Sequence, residues 1–117
     1  MPDRKTGLLP ATLNQLQVVN IFFDGQCVSV EPDPVRISVQ NQEQLLWILH
    51  GDAFLVSIEF RTSPFNGHVA IHPTRKRALS GVITKKEHVN KFFKYSITIV
   101  DFNGRKFKLD PDVNVMP

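Results

Sequence analysis

Residues 92–109, which read FFKYSITIVDFNGRKFKL, decide the fold of this 117-residue chain. From Phe93 to Ile99, aromatic and β-branched side chains alternate with polar ones, a period of two that is typical of a strand with one buried face. The pair Asn103-Gly104 is a strong signal for a tight hairpin turn. Residues 105–109 are therefore predicted to pair back against this strand in an antiparallel hairpin.

Similar patterns recur through the rest of the chain. Asp24-Gly25 lies between two apolar runs and indicates a second hairpin. Residues 35–39 and 54–60 alternate, and residues 44–49 are nearly all apolar, as in a central strand buried on both faces. About eight short strands with regular turn signals and no long helical pattern predict an all-β fold, an antiparallel Greek-key β-sandwich.

The length of 117 residues fits one domain. We expect a flexible N-terminus over residues 1–12, where Pro2, Gly7 and Pro10 interrupt any regular pattern. A single sandwich domain should then occupy residues 13–117. The strand patterns place the following side chains in its core: Val35, Ile37, Leu46, Trp47, Leu49, Val56, Ile58, Phe93, Tyr95, Ile97 and Ile99.

Two segments carry a resemblance to a known family. Residues 47–56, WILHGDAFLV, resemble the cupredoxin strand W-x-N-x-D-x-x-x-H-x-V, and residues 93–97, FKYSI, resemble its later strand Y-x-Y-x-C. Where that family places its first copper-binding His, this chain has Phe54 or Leu55, and where it places its Cys, this chain has Ile97. The resemblance therefore implies a cupredoxin-like sandwich without the metal.

Other likenesses leave the strand order open. A Trp in a middle strand and a Tyr in a late strand, here Trp47 and Tyr95, also mark immunoglobulin-like sandwiches. The ending from Gly104 to Val115 resembles uncharacterised small bacterial sandwich domains that finish G-x-x-x-x-L-D-P-x-x-x-V. No catalytic residue is carried over from either group, so the fold is predicted as cupredoxin-like or immunoglobulin-like.

Metal binding and catalysis find little support in the sequence. No His or Cys follows Ile97, whereas a blue-copper site needs two His and a Cys that converge. His68 and His72 would lie about 13 Å apart in a strand but could converge in a turn, so a metal at this pair stays open. The chain has no G-x-S-x-G elbow, and Cys27 fits a core thiol. We expect no cofactor and no enzymatic activity.

Charge suggests a polyanion as one partner. Residues 61–94 contain eight Lys or Arg and one Glu, whereas the rest of the chain contains six Lys or Arg and ten Asp or Glu. Residues 73–88 read as a long basic loop, and long loops tend to be functional or disordered. The candidate binding residues are Arg75, Lys76, Arg77, Lys85 and Lys86. They would neutralise phosphates of a nucleic acid or another polyanion.

Protein–protein interaction is the leading prediction, because sandwiches without a chemical site commonly bind through loops or sheet edges. The basic 73–88 loop is the predicted contact surface for an unknown protein partner, with the polyanion as the alternative. The polar start of the chain shows no secretory signal, and no run approaches the ~18 apolar residues of a membrane span. We therefore expect a cytoplasmic protein with no membrane partner.

Overall fold

Ten strands and one 3-10 turn follow one another along residues 15–117, the part of the chain that this computed structural model describes. The strands are β1 (Leu16–Phe23), β2 (Val28–Glu31), β3 (Val35–Ser38), β4 (Gln44–His50), β5 (Ala53–Phe60), β6 (Ala70–Ile71), β7 (Arg77–Leu79), β8 (Phe92–Asp101), β9 (Lys106–Leu109) and β10 (Asp112–Met116), and the 3-10 turn is Lys86–His88. The flexible segment predicted over residues 1–12 lies outside the described residues.

The strands form two five-stranded sheets that pack face to face. Sheet 1 has the order β2-β1-β4-β7-β6, and sheet 2 has the order β3-β10-β8-β5 with β9 also paired to β8. Both predicted hairpins are present: β1 pairs with β2 across Asp24-Gly25, and β8 pairs with β9 across Asn103-Gly104. Alternate side chains of each sheet fill the space between them, so the predicted all-β sandwich is confirmed.

The sheets are mixed, which corrects the prediction of a wholly antiparallel fold. Strand β1 pairs with β4 in parallel, and β3 pairs with β10 in parallel. The hairpin partner β2 occupies one side of β1, and the chain then crosses into sheet 2 as β3 before it returns. Its return as β4 on the free side of β1 runs in the same direction, as a crossover connection allows. The Greek-key connectivity stays a prediction.

Trp47 and Tyr95 pack together at the centre of the core, one from each sheet. They are 0% and 1% exposed, and the Trp47 Nε1–H donates a hydrogen bond of 3.2 Å to the Tyr95 hydroxyl. Burial raises the pKa of Tyr95 well above its usual range. The predicted core residues that are buried are Val35, Ile37, Trp47, Leu49, Ile58, Phe93, Tyr95, Ile97 and Ile99.

The two other predicted core residues, Leu46 and Val56, are not in the core. Strand β4 alternates despite its apolar composition: Leu45 and Trp47 point inward, and Leu46 lies half-buried on the outer face. In β5 the pairing register shifts between Leu55 and Ser57, so Val56 is displaced and Leu55 becomes the buried residue. A bulge of this kind changes which face each following side chain occupies.

The prediction of a long loop over residues 73–88 is also wrong, because much of this segment packs against the two sheets. It contains β7, the whole 3-10 turn Lys86–His88, and Ile83, which is fully buried. Gly81 passes so close to the Asn66 carbonyl that a Cβ there would lie 1.6 Å from the oxygen. The sequence signal was weak because the segment packs through single residues rather than through a periodic apolar face.

Candidate interaction surface

The outer face of sheet 1 carries a continuous row of apolar side chains. Val18 on β1 is in register with Leu46 on β4, Leu46 with Leu79 on β7, and Leu79 with Ala70 on β6. Val18 is 40% exposed and Leu79 is 38% exposed, although both lie on regular strands. We call these four residues the apolar row. It runs across four neighbouring strands without a polar side chain.

The next position along the strands gives a second row with charges at its two ends. Glu31 on β2 is in register with Asn20 on β1, Asn20 with Ile48 on β4, and Ile48 with Arg77 on β7. Glu31 and Arg77 are both exposed. Among residues 15–117, neither side chain forms an ion pair. We call this the charged-end row, since its middle is uncharged.

Phe22 and His50 complete this face at the next position along β1 and β4. Their rings stack with centroids 5.0 Å apart, and Phe22 is 41% exposed. The His50 Nε2 lies 2.9 Å from the Asn20 Oδ1, so the imidazole is hydrogen-bonded back onto the sheet. On the opposite side, Leu46 and Leu79 border a shallow recess of about 420 Å³ next to β6. The face thus has polar neighbours beside the apolar row, and it is bordered by recesses beside Leu79 and beside Phe22.

Sequence reasoning missed this surface because it read the apolar β4 as buried on both faces. The register of β1 against β4 places outward-facing Val18 and Phe22 beside that strand. A signal was present in the sequence: β1 also has apolar residues at positions of both parities. Two neighbouring strands of that kind need cover on both sides of their sheet, and sheet 2 covers only one side.

The structure does not bring the five predicted basic residues together. The Leu49 N–H donates to the Lys76 carbonyl at one end of β4, and the Ile83 N–H donates to the Glu43 carbonyl at the other end. Six residues of strand separate Glu43 from Leu49, or about 20 Å. Arg75, Lys76 and Arg77 therefore lie near one end of the sandwich, and Lys85 and Lys86 lie near the other end.

Two of the three basic residues at the first end hold the fold together. The turn that contains Arg75 and Lys76 bridges the sheets, since the Arg75 carbonyl accepts the Leu55 N–H at 2.7 Å from sheet 2. The Arg75 Nε–H donates back to the Leu55 carbonyl at 2.9 Å. These bonds occupy the free edge of β5, which would otherwise present unpaired backbone groups. The Arg77 side chain is also exposed, and it lies in the charged-end row.

Lys76 lies beside two exposed aromatic rings at the same end. Its ammonium donates to the Gly51 carbonyl and lies 5.6 Å and 5.7 Å from the ring centroids of Phe54 and Phe102. The two rings are 5.0 Å apart, and they are 36% and 59% exposed. We call Lys76, Phe54 and Phe102 the aromatic tip. It combines a cation with two accessible ring surfaces.

The turn behind Phe102 is fixed by a buried carboxylate. Asp101 accepts hydrogen bonds from the backbone N–H groups of Asn103 and Arg105 at 3.0 Å and 2.8 Å, and from the Arg105 Nε–H at 2.8 Å. Burial by itself raises the pKa of the Asp101 carboxyl, but the hydrogen bonds and the nearby guanidinium outweigh it and hold the pKa below its usual value. This carboxylate therefore supports the turn in its ionised form.

The histidines and the cysteine do not assemble into a group. Among residues 15–117, no three His, Cys, Asp or Glu side chains lie close enough together to hold a metal ion. The His72 Nδ1 is 2.9 Å from the Thr74 Oγ1 and accepts the Thr74 N–H at 3.2 Å, so it caps its own turn. Cys27 is exposed, which corrects its expected place in the core.

Within the described residues, no helix is long and apolar enough to cross a membrane. Comparison with known proteins gives no match to any protein-family model, curated protein or solved structure. The cupredoxin resemblance therefore stays a prediction. Of the positions it singles out, Phe54 is exposed at the aromatic tip, whereas Leu55 and Ile97 are buried in the core.

Proposed function

We propose that this chain is a non-enzymatic protein-interaction module that binds its partner on the outer face of sheet 1. The observation that carries the proposal is the apolar row, in which Val18 and Leu79 are each more than a third exposed. Exposed apolar side chains that are scattered singly are ordinary, but a contiguous patch across four strands marks an interaction site. The proposed contact surface is therefore a sheet face and not the predicted basic loop.

The shape and chemistry of the face favour a protein over a small ligand. Small-molecule sites are concave and bury most of their ligand, whereas the recesses on this face, beside Leu79 and beside Phe22, are open to solvent. Its centre is uncharged and its charged residues, Glu31 and Arg77, lie at the sides. Protein interfaces share this arrangement, with an apolar centre and a polar rim. The same features support a binding role rather than catalysis.

We also propose a cytoplasmic location for the module. The only cysteine of the chain, Cys27, has an exposed thiol. Disulfides stabilise many small exported domains, and a fold that relies on packing alone is typical of a reducing compartment. Fusion of a fluorescent protein to the C-terminus and fractionation of the cells would test this location.

Site-specific photo-crosslinking in cells tests the interaction. A photoreactive amino acid replaces Leu79 on sheet 1 in one variant and the exposed Lys108 on sheet 2 in a matched control. We expect adducts with another protein chain from the Leu79 position and few from the Lys108 position. Equal labelling from both positions, or crosslinks from Leu79 only to residues 1–14 of the same chain, would contradict a partner on this face.

The aromatic tip favours polyanion binding as a second candidate function. Single-stranded nucleic acids bind where bases stack on aromatic rings and cations contact the phosphates. Phe102 is 59% exposed and has the Lys76 ammonium beside it. Because Lys85 and Lys86 lie at the far end, the proposed site contains only Arg75, Lys76 and Arg77 of the predicted basic residues.

A salt series with a fluorescent single-stranded oligonucleotide and with inorganic polyphosphate tests this second candidate. We expect affinity to fall steeply with salt. The double substitution Lys76→Gln and Phe102→Ala should weaken oligonucleotide binding, whereas Lys85→Gln with Lys86→Gln should leave it nearly unchanged. Equal losses in the two double variants would show general charge attraction and would overturn a site at the tip.

A further inference from the structure

We propose that the partner on the outer face of sheet 1 is a second copy of this chain, and that two copies pack face to face about a two-fold axis parallel to the strands. This inference rests on the proposed function, since it names the occupant of the same face. It adds a specific pairing: Glu31 of each copy lies opposite Arg77 of the other.

A two-fold axis in the plane of the interface and parallel to the strands keeps each row opposite itself and exchanges its two ends. In sheet 1 the order β2-β1-β4-β7 makes β2 and β7 symmetric about the boundary between β1 and β4. An axis along that boundary sets β2 of one copy opposite β7 of the other. Interfaces of this isologous kind are the most common in homodimers, because one surface patch serves both subunits.

The charged-end row has the opposite charges at its two ends that this symmetry requires. It has the carboxylate of Glu31 at one end and the guanidinium of Arg77 at the other, with Asn20 and Ile48 between them. Under the two-fold operation, the Glu31 of each copy faces the Arg77 of the other, so the pair occurs twice in the dimer and no like charges of this row face each other. A row with the same charge at both ends would repel its own copy, so the order of charges selects for self-association.

The outward-facing residues of the two central strands meet under the same operation, whereas Leu79 lies opposite the end of β2 and Ala70 on β6 has no strand opposite it. Val18 lies opposite Leu46 of the second copy, and Phe22 lies opposite His50 of the second copy, because each pair occupies one register position on β1 and β4. Two sheets that pack this way stand about 10 Å apart with strands within about 30° of each other. The Phe22 ring is 41% exposed in one copy and would be covered in the pair.

The area that two copies can bury sets the expected strength of their association. The four strands that overlap under this axis are β2, β1, β4 and β7. At about 4.8 Å per strand and up to seven residues of length they span at most roughly 19 Å by 23 Å, which is about 440 Å² on each copy. Two copies together bury at most about 880 Å², which is below the ~1,000 Å² of a stable specific interface and fits a weak, transient one. Affinity at this size depends on the quality of the central contacts, and we expect a dissociation constant of roughly 1–100 μM. The dimer should therefore be reversible over ordinary laboratory concentrations.

Analytical ultracentrifugation of the full chain from about 1 to 500 μM, a range set by that expected affinity, tests the pairing. The variants are Glu31→Arg, Arg77→Glu and the two together. Each single change places two pairs of like charges in the dimer and should weaken association by roughly tenfold at low salt. The double change restores two opposite-charge pairs and should return most of the affinity. These residues are exposed, so the variants should fold.

Leu46→Asp and Thr98→Asp form a second pair of variants, at half-buried central positions of the outer faces of sheet 1 and sheet 2. Leu46→Asp should abolish dimerisation, and Thr98→Asp should preserve it. A chain that is monomeric at every concentration, or a double charge swap that restores nothing, would overturn the second copy as occupant. If crosslinks from Leu79 to another protein persisted in that case, the proposed function would stand and only this inference would fail.

Discussion

The outer faces of the two sheets are built by the same alternation of side chains and differ in what they present. On sheet 1 the central positions are Val18, Leu46 and Leu79, which form part of the apolar row. On sheet 2 the central positions are Thr98 on β8, with Lys108 in register on one side and Ser57 on the other. The face of sheet 1 is therefore apolar at its centre. The face of sheet 2 is polar at its centre and has exposed aromatic residues, Phe92 and Phe54, only towards its ends.

The polar face of sheet 2 also satisfies itself. The Ser96 hydroxyl donates to the Asp110 carboxylate at 2.8 Å, and the Lys94 ammonium donates to the Asp110 carbonyl at 2.8 Å and pairs with Asp112 at 3.6 Å. Side chains that bond to one another and to water need no partner. The apolar row of sheet 1 has no such option, because its side chains gain only by being covered.

The largest expected effect comes from removing the contact that both sheets share. Trp47→Ala should lower the free energy of unfolding by about 3–5 kcal/mol, since it deletes a large buried ring and leaves the Tyr95 hydroxyl without its donor. Urea denaturation followed by circular dichroism measures this loss. Trp47→Phe keeps most of the volume and should cost clearly less. Equal costs would mean that the cavity contributes little at this position.

Neighbouring residues on β4 allow the comparison of faces to be made within one strand. Leu45 is fully buried, and Leu45→Ala should cost about 2–5 kcal/mol at any protein concentration. Leu46→Ala should cost about 1 kcal/mol in the monomer and should additionally weaken the dimer. The melting temperature of the wild type should therefore rise with protein concentration, and that of Leu46→Ala should not. Identical concentration dependence in both would place the interface elsewhere.

The sequence predicted the class of fold because alternation is local. Phe93, Tyr95, Ile97 and Ile99 share a face in the sequence and in the structure, since a regular strand fixes that relation without regard to its neighbours. The error at Val56 has the opposite cause. A bulge depends on pairing with β8, and the extra residue lets Leu55 before it and Ile58 after it both be buried, so one unbroken alternation cannot describe the strand.

The candidate site was harder to predict than the core. The apolar row exists only because β1 lies beside β4 in a parallel register that brings Val18 next to Leu46. No local pattern specifies which strands become neighbours, and residues 28 residues apart in sequence meet here. The basic residues were wrongly expected to lie together because they are close in sequence. The segment between Arg75 and Lys85 runs the length of β4 and separates them.

An acid titration tests how much the buried Asp101 carboxylate, in the turn beside the aromatic tip, contributes to stability. The pKa of Asp101 is lower in the folded chain than the value of about 3.9 expected when unfolded, so its contribution to stability is present above that value and is lost as the pH falls through the folded pKa. Asp101→Asn should therefore be less stable than the wild type at pH 7, and the difference should shrink below about pH 4.

The matched control for this titration is Asp52→Asn, an exposed carboxyl in the turn between β4 and β5 at the same end of the molecule. Thermal unfolding at pH 7, 5, 4 and 3 follows both variants. A stability difference for Asp101→Asn that grows in acid, or a control that follows the same curve, would contradict the role assigned to the Asp101 carboxylate.

The smallest effect should come from the polar face of sheet 2. Lys94 is 64% exposed on its side chain, and an exposed ion pair such as Lys94–Asp112 contributes about 0–1 kcal/mol. Lys94→Met should change the free energy of unfolding by no more than about 0.5 kcal/mol and should leave the sedimentation of the chain unaltered. A loss of unfolding free energy above about 1 kcal/mol, or new self-association through the added Met side chain, would contradict this expectation. It would show that the bonds among Lys94, Asp110 and Asp112 are what keeps this face from behaving like the outer face of sheet 1.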